Sequence, residues 1–188
     1  TEEDELGLFE AGISRTGEMV ALEPVIQPKY GVFTSLGSAH QEGFSSLEEK
    51  LEEKLLLFRH SETLFYSLDD TLVREAMQRH FPARKHSTWG RRDPKAALYI
   101  SECVTRLEQS ELSITYEGKA YQLTVPFADQ AYLEDVYCCL AVVSALDPEL
   151  LLESSAWRSL TSVSMRLEVK DGLQGNTLID DAYSCDLQ

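Results

Sequence analysis

The chain has 188 residues, 43% of them hydrophobic, and its 32 acidic against 17 basic side chains give a formal net charge of −15. That length supports one globular domain with a substantial core, and that composition argues against a disordered chain. The negative excess repels phosphate backbones and disfavours nucleic-acid binding, and no apolar run approaches the ~20 residues of a membrane span.

The acidic opening Thr1-Glu-Glu-Asp-Glu5 runs almost directly into an apolar stretch, an abrupt start that predicts a piece of a longer protein. Residues 6–9 read as a short buried parallel strand ending at Glu10. Residues 17–26 carry Met19, Leu22 and Ile26 at helical spacing, and Pro28 closes that helix. A second strand follows over residues 30–34. Ser45-Ser-Leu-Glu-Glu49 sets a capping serine three residues ahead of an acid, the start signal of a helix over residues 46–60. Its buried stripe is Leu47, Leu51, Leu55 and Phe58. Lys54 lies beside that stripe, so its stem can pack while its amine reaches toward a strand end. Residues 62–67 read as a third strand and residues 69–80 as a helix.

The pattern then changes. Residues 96–103, 112–116 and 121–126 are strand-like, with Glu117-Gly118 as the turn between the last two. This shift from strand–helix alternation to consecutive strands predicts an α/β fold with a mostly parallel sheet flanked by helices and an antiparallel part over residues 96–126. A long helix over residues 129–146 and another from Asp147-Pro148 to Trp157 follow, and residues 163–169 and 177–181 finish the sheet. Arg84, Lys85, Arg91, Arg92 and Lys95 form the one dense basic stretch, either a solvated loop or a substrate contact. The cysteines at 103, 138, 139 and 185 have neither zinc-ligand nor disulfide-framework spacing, so a reducing cytoplasm is the simplest setting. Cys138 and Cys139 fall in an apolar helical run, where cysteine acts as a small hydrophobe.

Three polar residues at the ends of apolar runs carry the chemistry. Glu10 and His40 each follow a predicted strand, past the carboxyl end where open α/β sheets bind ligands, and Lys54 lies in the next helix. In their flanks, Glu10-Ala-Gly-Ile-Ser-Arg-Thr-Gly-Glu-Met19, Thr34-Ser-Leu-Gly-Ser-Ala-His40 and Lys54-Leu-Leu-Leu-Phe58 resemble the central, P-loop NTPase-like domain of the Mur ligases. Met165-Arg-Leu-Glu168 and Leu178-Ile-Asp-Asp-Ala-Tyr183 resemble that domain's exit.

The resemblance implies an ATP-dependent amide ligase of peptidoglycan precursor synthesis working through an acyl phosphate. Its flavour is that of the branch joining D-alanyl-D-alanine to UDP-N-acetylmuramoyl-tripeptide. Asp186-Leu187 and Glu48-Glu-Lys-Leu51 suggest the subgroup fused to an alanine racemase. ATP and magnesium are the implied cofactors. Glu10, His40 and a carbamylated Lys54 are the implied metal ligands, with His40 and Lys54 at the catalytic centre. Arg166 is an implied phosphate clamp, and Asp181 would touch the ribose or orient Arg166. Asp135 stands where the family has an adenine-reading asparagine, and a carboxylate cannot donate the amide hydrogen bonds. Ser35 and Ser184 also depart from the family pattern, and no G-x-x-x-x-G-K-[ST] phosphate-loop string occurs. Residues 1–182 are thus expected to be a partial central domain lacking its phosphate loop, with residues 183–188 opening a hinge. A non-catalytic Mur-like domain kept for partner binding and a folylpolyglutamate-synthetase relative are the alternative expectations.

Overall fold

The computed structural model describes residues 6–37, 43–162 and 168–180. It divides into two compact units, Thr1–His86 and Ser87–Gln188. Six strands are hydrogen-bonded in chain order, β1 (Tyr30–Val32), β2 (Thr63–Ser67), β3 (Lys85–Gly90), β4 (Leu98–Arg106), β5 (Gln109–Tyr116) and β6 (Lys119–Val125). β1 runs parallel to β2 and β3 parallel to β4, whereas β5 is antiparallel to both β4 and β6. This is the expected mixed α/β architecture, with its antiparallel part where the sequence put it.

In the first unit, α1 (Glu18–Ile26), α2 (Leu47–Leu55) and α3 (Thr71–His80) accompany β1 and β2. The Ser46 side chain accepts the Glu49 amide at 3.1 Å, and the Glu49 carboxylate accepts the Ser45 amide and hydroxyl. The capping signal is therefore real and shared between two serines. Asp70 caps α3 by accepting the Val73 amide. Leu51, Leu55 and Phe58 pack with Leu64, Tyr66 and Met77 into one apolar cluster, the helix period meeting the strand period across a single interface.

In the second unit, β5 and β6 are joined at Glu117 and Gly118, whose φ values of 49° and 76° are those of a tight two-residue hairpin turn. The 17-residue α4 (Gln130–Leu146) starts at Asp129, which accepts the Ala131 amide at 2.8 Å. A one-turn 3-10 stretch (Pro148–Leu152) leads to α5 (Ser154–Arg158), where the Trp157 indole donates to the Leu150 carbonyl.

Three sequence expectations are corrected. Residues 6–9 form no strand: Leu8 is 95% exposed, and Leu6 and Phe9 also face solvent. An apolar tetrapeptide becomes a strand only when a ladder satisfies its backbone, and none of the described strands pairs with it. Lys85–Gly90 is a strand, β3, although its Lys-His-Ser-Thr-Trp-Gly sequence carries little of the apolar pattern expected of one. Of its buried side chains, Thr88 accepts the Ala97 amide on Oγ1, whereas the Trp89 indole N–H has no hydrogen-bond partner among the described residues. Finally, β7 (Glu168–Asp171) and β8 (Thr177–Asp180) pair antiparallel in a separate two-stranded sheet instead of finishing the main one.

Candidate functional site

Two segments that the sequence marked for the site, the one after Glu10 and the one before His40, are joined by side chains of α2. Its inward face buries two charged residues, Lys50 at 3% exposure and Glu53, alongside Leu51 and Leu55. Burying a charge is costly unless it is hydrogen-bonded, and both of these are. The Lys50 ammonium donates to the Gly37 carbonyl at 2.6 Å. The Glu53 carboxylate accepts the Gly17 amide at 2.8 Å and the Met19 amide at 3.0 Å. Gly17 is the cap position of α1 and offers no side chain, so Glu53 supplies from a neighbouring helix the acceptor that a capping residue would provide.

The segment after Glu10 is thereby fixed in shape. Glu18 folds back to accept the Ser14 amide at 2.7 Å and the Arg15 amide at 3.2 Å, and the Ser14 contact leads in holding its carboxyl below the usual range. Ile13, Met19 and Phe44 form a small apolar cluster, with Leu56 and Leu57 against it. Gly43 lies so close to this segment that a Cβ built on it would stand 1.7 Å from the Ser14 carbonyl oxygen. Only glycine admits that approach. His60 Nδ1 meets the buried Glu23 carboxylate of α1 at 2.7 Å and ties α1 to the end of the 3-10 stretch (Leu56–Phe58) that follows α2.

Lys54 sits one turn beyond Lys50. It is half-buried, with its amine 5.6 Å from the centre of the Phe33 ring, the residue that follows β1. The amine thus reaches the carboxyl end of β1, as a lysine on a helix running back along a parallel strand should. Burial, with the nearby Lys50 charge second, lowers the Lys54 pKa below its ordinary 10.5. This increases its neutral fraction, the form that reacts with carbon dioxide, so the residue fits the carbamate chemistry that a hard cation such as magnesium would need from it.

The other expected site residues are placed as follows. Glu10 is described and exposed, in a stretch without regular structure, so the argument that it follows a buried strand fails. His40, Arg166 and Asp181 lie outside the described residues. Asp135 is exposed on α4. Among the described residues, no three His, Cys, Asp or Glu side chains gather as a metal cluster. Arg84, Lys85, Arg91, Arg92 and Lys95 are all exposed, with Arg84 donating to the Arg59 carbonyl at 3.2 Å. Sequence reasoning missed Lys50, Glu53 and Gly43. The spacing of Lys50 and Lys54, four apart on one helix face, was the available signal for the first.

A family description, the Mur ligase middle domain, matches residues 1–143. The chain belongs to the Mur ligase middle-domain family. A UDP-N-acetylmuramoyl-tripeptide–D-alanyl-D-alanine ligase of Rickettsia prowazekii is 21% identical over the whole chain, which spans 42% of that relative's length. MurF from Acinetobacter baumannii superposes with a TM-score of 0.79 at 16% identity, over 93% of this chain and 38% of that one. MurF of Thermotoga maritima, solved in complex with ADP, gives 0.73 at 20% identity, over 92% of this chain and 39% of that one. The Mur middle-domain fold therefore covers nearly all of the chain, while the chain spans only about two-fifths of each of these relatives.

Proposed function

We propose that this chain is part of an ATP-dependent ligase that joins D-alanyl-D-alanine to UDP-N-acetylmuramoyl-tripeptide in the cytoplasm. The observation that carries the reading is Lys54: a half-buried lysine with a depressed pKa, its amine brought to the end of β1 within a Mur middle-domain fold. The Rickettsia relative, whose name states this reaction, supports the choice of substrates. The Asp186-Leu187 and Glu48-Glu-Lys-Leu51 strings are what supports a fused alanine racemase.

In the reaction, the terminal carboxylate of the tripeptide attacks the γ-phosphorus of ATP, giving an acyl phosphate and ADP. The amine of D-alanyl-D-alanine then attacks the acyl carbon and phosphate leaves. Magnesium, held by Glu10, His40 and carbamylated Lys54, would neutralise charge on the phosphate oxygens during this transfer. The chain's own share is positioning. Glu53 and Gly43 fix the segment that follows Glu10, and Lys54 presents its amine in partly dry surroundings. Arg166 and Asp181 are assigned to the nucleotide, as phosphate clamp and ribose contact.

The test is phosphate release by the full-length protein on mixing ATP, magnesium, UDP-N-acetylmuramoyl-tripeptide and D-alanyl-D-alanine. Release that requires both substrates and drops at least a hundredfold in Lys54→Ala is expected. The 188-residue chain alone, whose sequence has no phosphate-loop string, should show no ligation and bind magnesium–ATP more weakly than low micromolar by calorimetry. A second reading, a non-catalytic Mur-like domain, is favoured by Asp135, an exposed carboxylate where the family presents an amide. Full-length protein that releases no phosphate decides for it.

A further inference from the structure

We propose that the cleft between the end of α2 and the start of β3 binds a small organic oxyanion, a carboxylate or phosphate carried on an apolar body. This goes beyond the proposed function and does not depend on it.

The cleft measures about 630 Å3, the size of a small-molecule site. Its residues all belong to the first unit, Thr1–His86. Arg59 lies four residues before β2 and Arg84 directly before β3, so the cleft sits at the amino ends of these strands. The Lys54 amine meets Phe33 past the carboxyl end of β1, which runs parallel to β2. The two places therefore lie at opposite ends of the strands, and the proposed ligase chemistry uses none of the cleft residues.

Charge sets the class of occupant. The chain carries a formal net charge of −15, so acids far outnumber the bases they could pair with. Even so, among the described residues neither Arg59 nor Arg84 forms an ion pair. Glu52 is the acid that lines the cleft, and both its oxygens are taken. Oε1 accepts from Arg79 at 2.5 Å and Oε2 meets His80 Nε2 at 2.7 Å. Arg84 donates to the carbonyl of Arg59, the cap residue of the 3-10 stretch after α2, at 3.2 Å. That bond accounts for one of the five N–H donors of Arg84 and for none of those of Arg59. Two guanidiniums thus remain for an outside partner, and their planar forks match a carboxylate or a phosphate.

The walls set the rest. Leu55, Leu56 and Phe81 line the same cleft and offer apolar surface beside the cations. A bare inorganic anion would leave that surface in water, whereas an anion carrying a ring or a short aliphatic chain covers it.

The experiment titrates the full-length protein with phenyl phosphate, benzoate and inorganic phosphate by calorimetry. Phenyl phosphate or benzoate should bind with a dissociation constant of about 1 mM or tighter, and at least fivefold tighter than inorganic phosphate. The tighter of the two identifies the head group. Arg59→Gln and Arg84→Gln should each weaken that binding at least threefold, and the double variant at least tenfold. A second readout needs only the wild type, phenylglyoxal labelling of arginines followed by peptide mass spectrometry. The bound probe should slow labelling of Arg59 and Arg84 at least threefold and leave Arg106, on β4, unchanged. Binding unchanged in the double variant, labelling that the probe does not slow, or inorganic phosphate held as tightly as phenyl phosphate overturns the proposal. So does a protein that binds neither organic probe. Phosphate release tests the ligase reading separately and is not decided by any of these outcomes.

Discussion

The helices α2 and α4 differ in the charged groups they bury. α2 is nine residues long and buries a lysine and a glutamate, each hydrogen-bonded to backbone that belongs to no strand. α4 is 17 residues long and buries Leu133, Val136, Leu140 and Ala141, with a phenol and a thiol among them. The difference shows what each kind of burial can specify. Apolar burial is non-directional and secures a helix against a regular surface. Charged burial is directional, and in α2 it fixes two irregular segments, the one after Glu10 and the one before His40.

The comparison can be broken by substitution. Leu140→Ala empties fully buried volume in α4 and should cost about 3 kcal/mol, read as a lowered urea midpoint. Gly43→Ala drives a methyl into the Ser14 carbonyl and should cost about 2 kcal/mol despite lying at an exposed position. If it is tolerated without loss, the segment after Glu10 is not fastened there. Glu53→Ala leaves two amides at the start of α1 without their acceptor and should cost about 1.5 kcal/mol, with exchange rising at Met19 more than in α3.

Alkali sharpens the contrast, because Cys138 of α4 and Lys54 of α2 should respond with opposite sign. Burial pushes the Cys138 thiol from 9 up to about 12, so between those values the folded state holds a proton that the unfolded state has lost. Its contribution is present below pH 9 and is lost as pH rises toward 12. Lys54 is lowered from 10.5, so just below that value the unfolded state holds the extra proton and stability rises with pH. Cys138→Ala should therefore flatten the alkaline fall in stability. Lys54→Met should raise the urea midpoint at pH 7, and that gain should shrink as pH approaches 10.5.

Legibility in the sequence followed the same division. α2, α3 and α4 announced themselves through capping residues and period, and the β5–β6 hairpin through Glu117-Gly118, because these are local signals. Residues 6–9 failed because an apolar run states a preference for burial and cannot say whether a partner strand is there. β3 was hidden because its polar side chains find partners outside the strand: His86 stands between the Tyr66 hydroxyl and the Phe81 carbonyl, each at 2.9 Å, which puts a proton on Nε2. At the site, Lys54 was legible through its flanks. Lys50 was not, because a lysine that solvates and a lysine that clamps a carbonyl thirteen residues away look alike in the sequence.

The central claim is that α2 presents Lys54 as a reactive amine at the end of β1. Carbon-13 NMR of the chain equilibrated with 13C-labelled carbon dioxide at pH 8 tests it most directly. One new carbonyl resonance, correlated with the Lys54 side chain and absent in Lys54→Ala, is the predicted result. No such resonance in the wild type, or one that persists in the variant, would contradict the account.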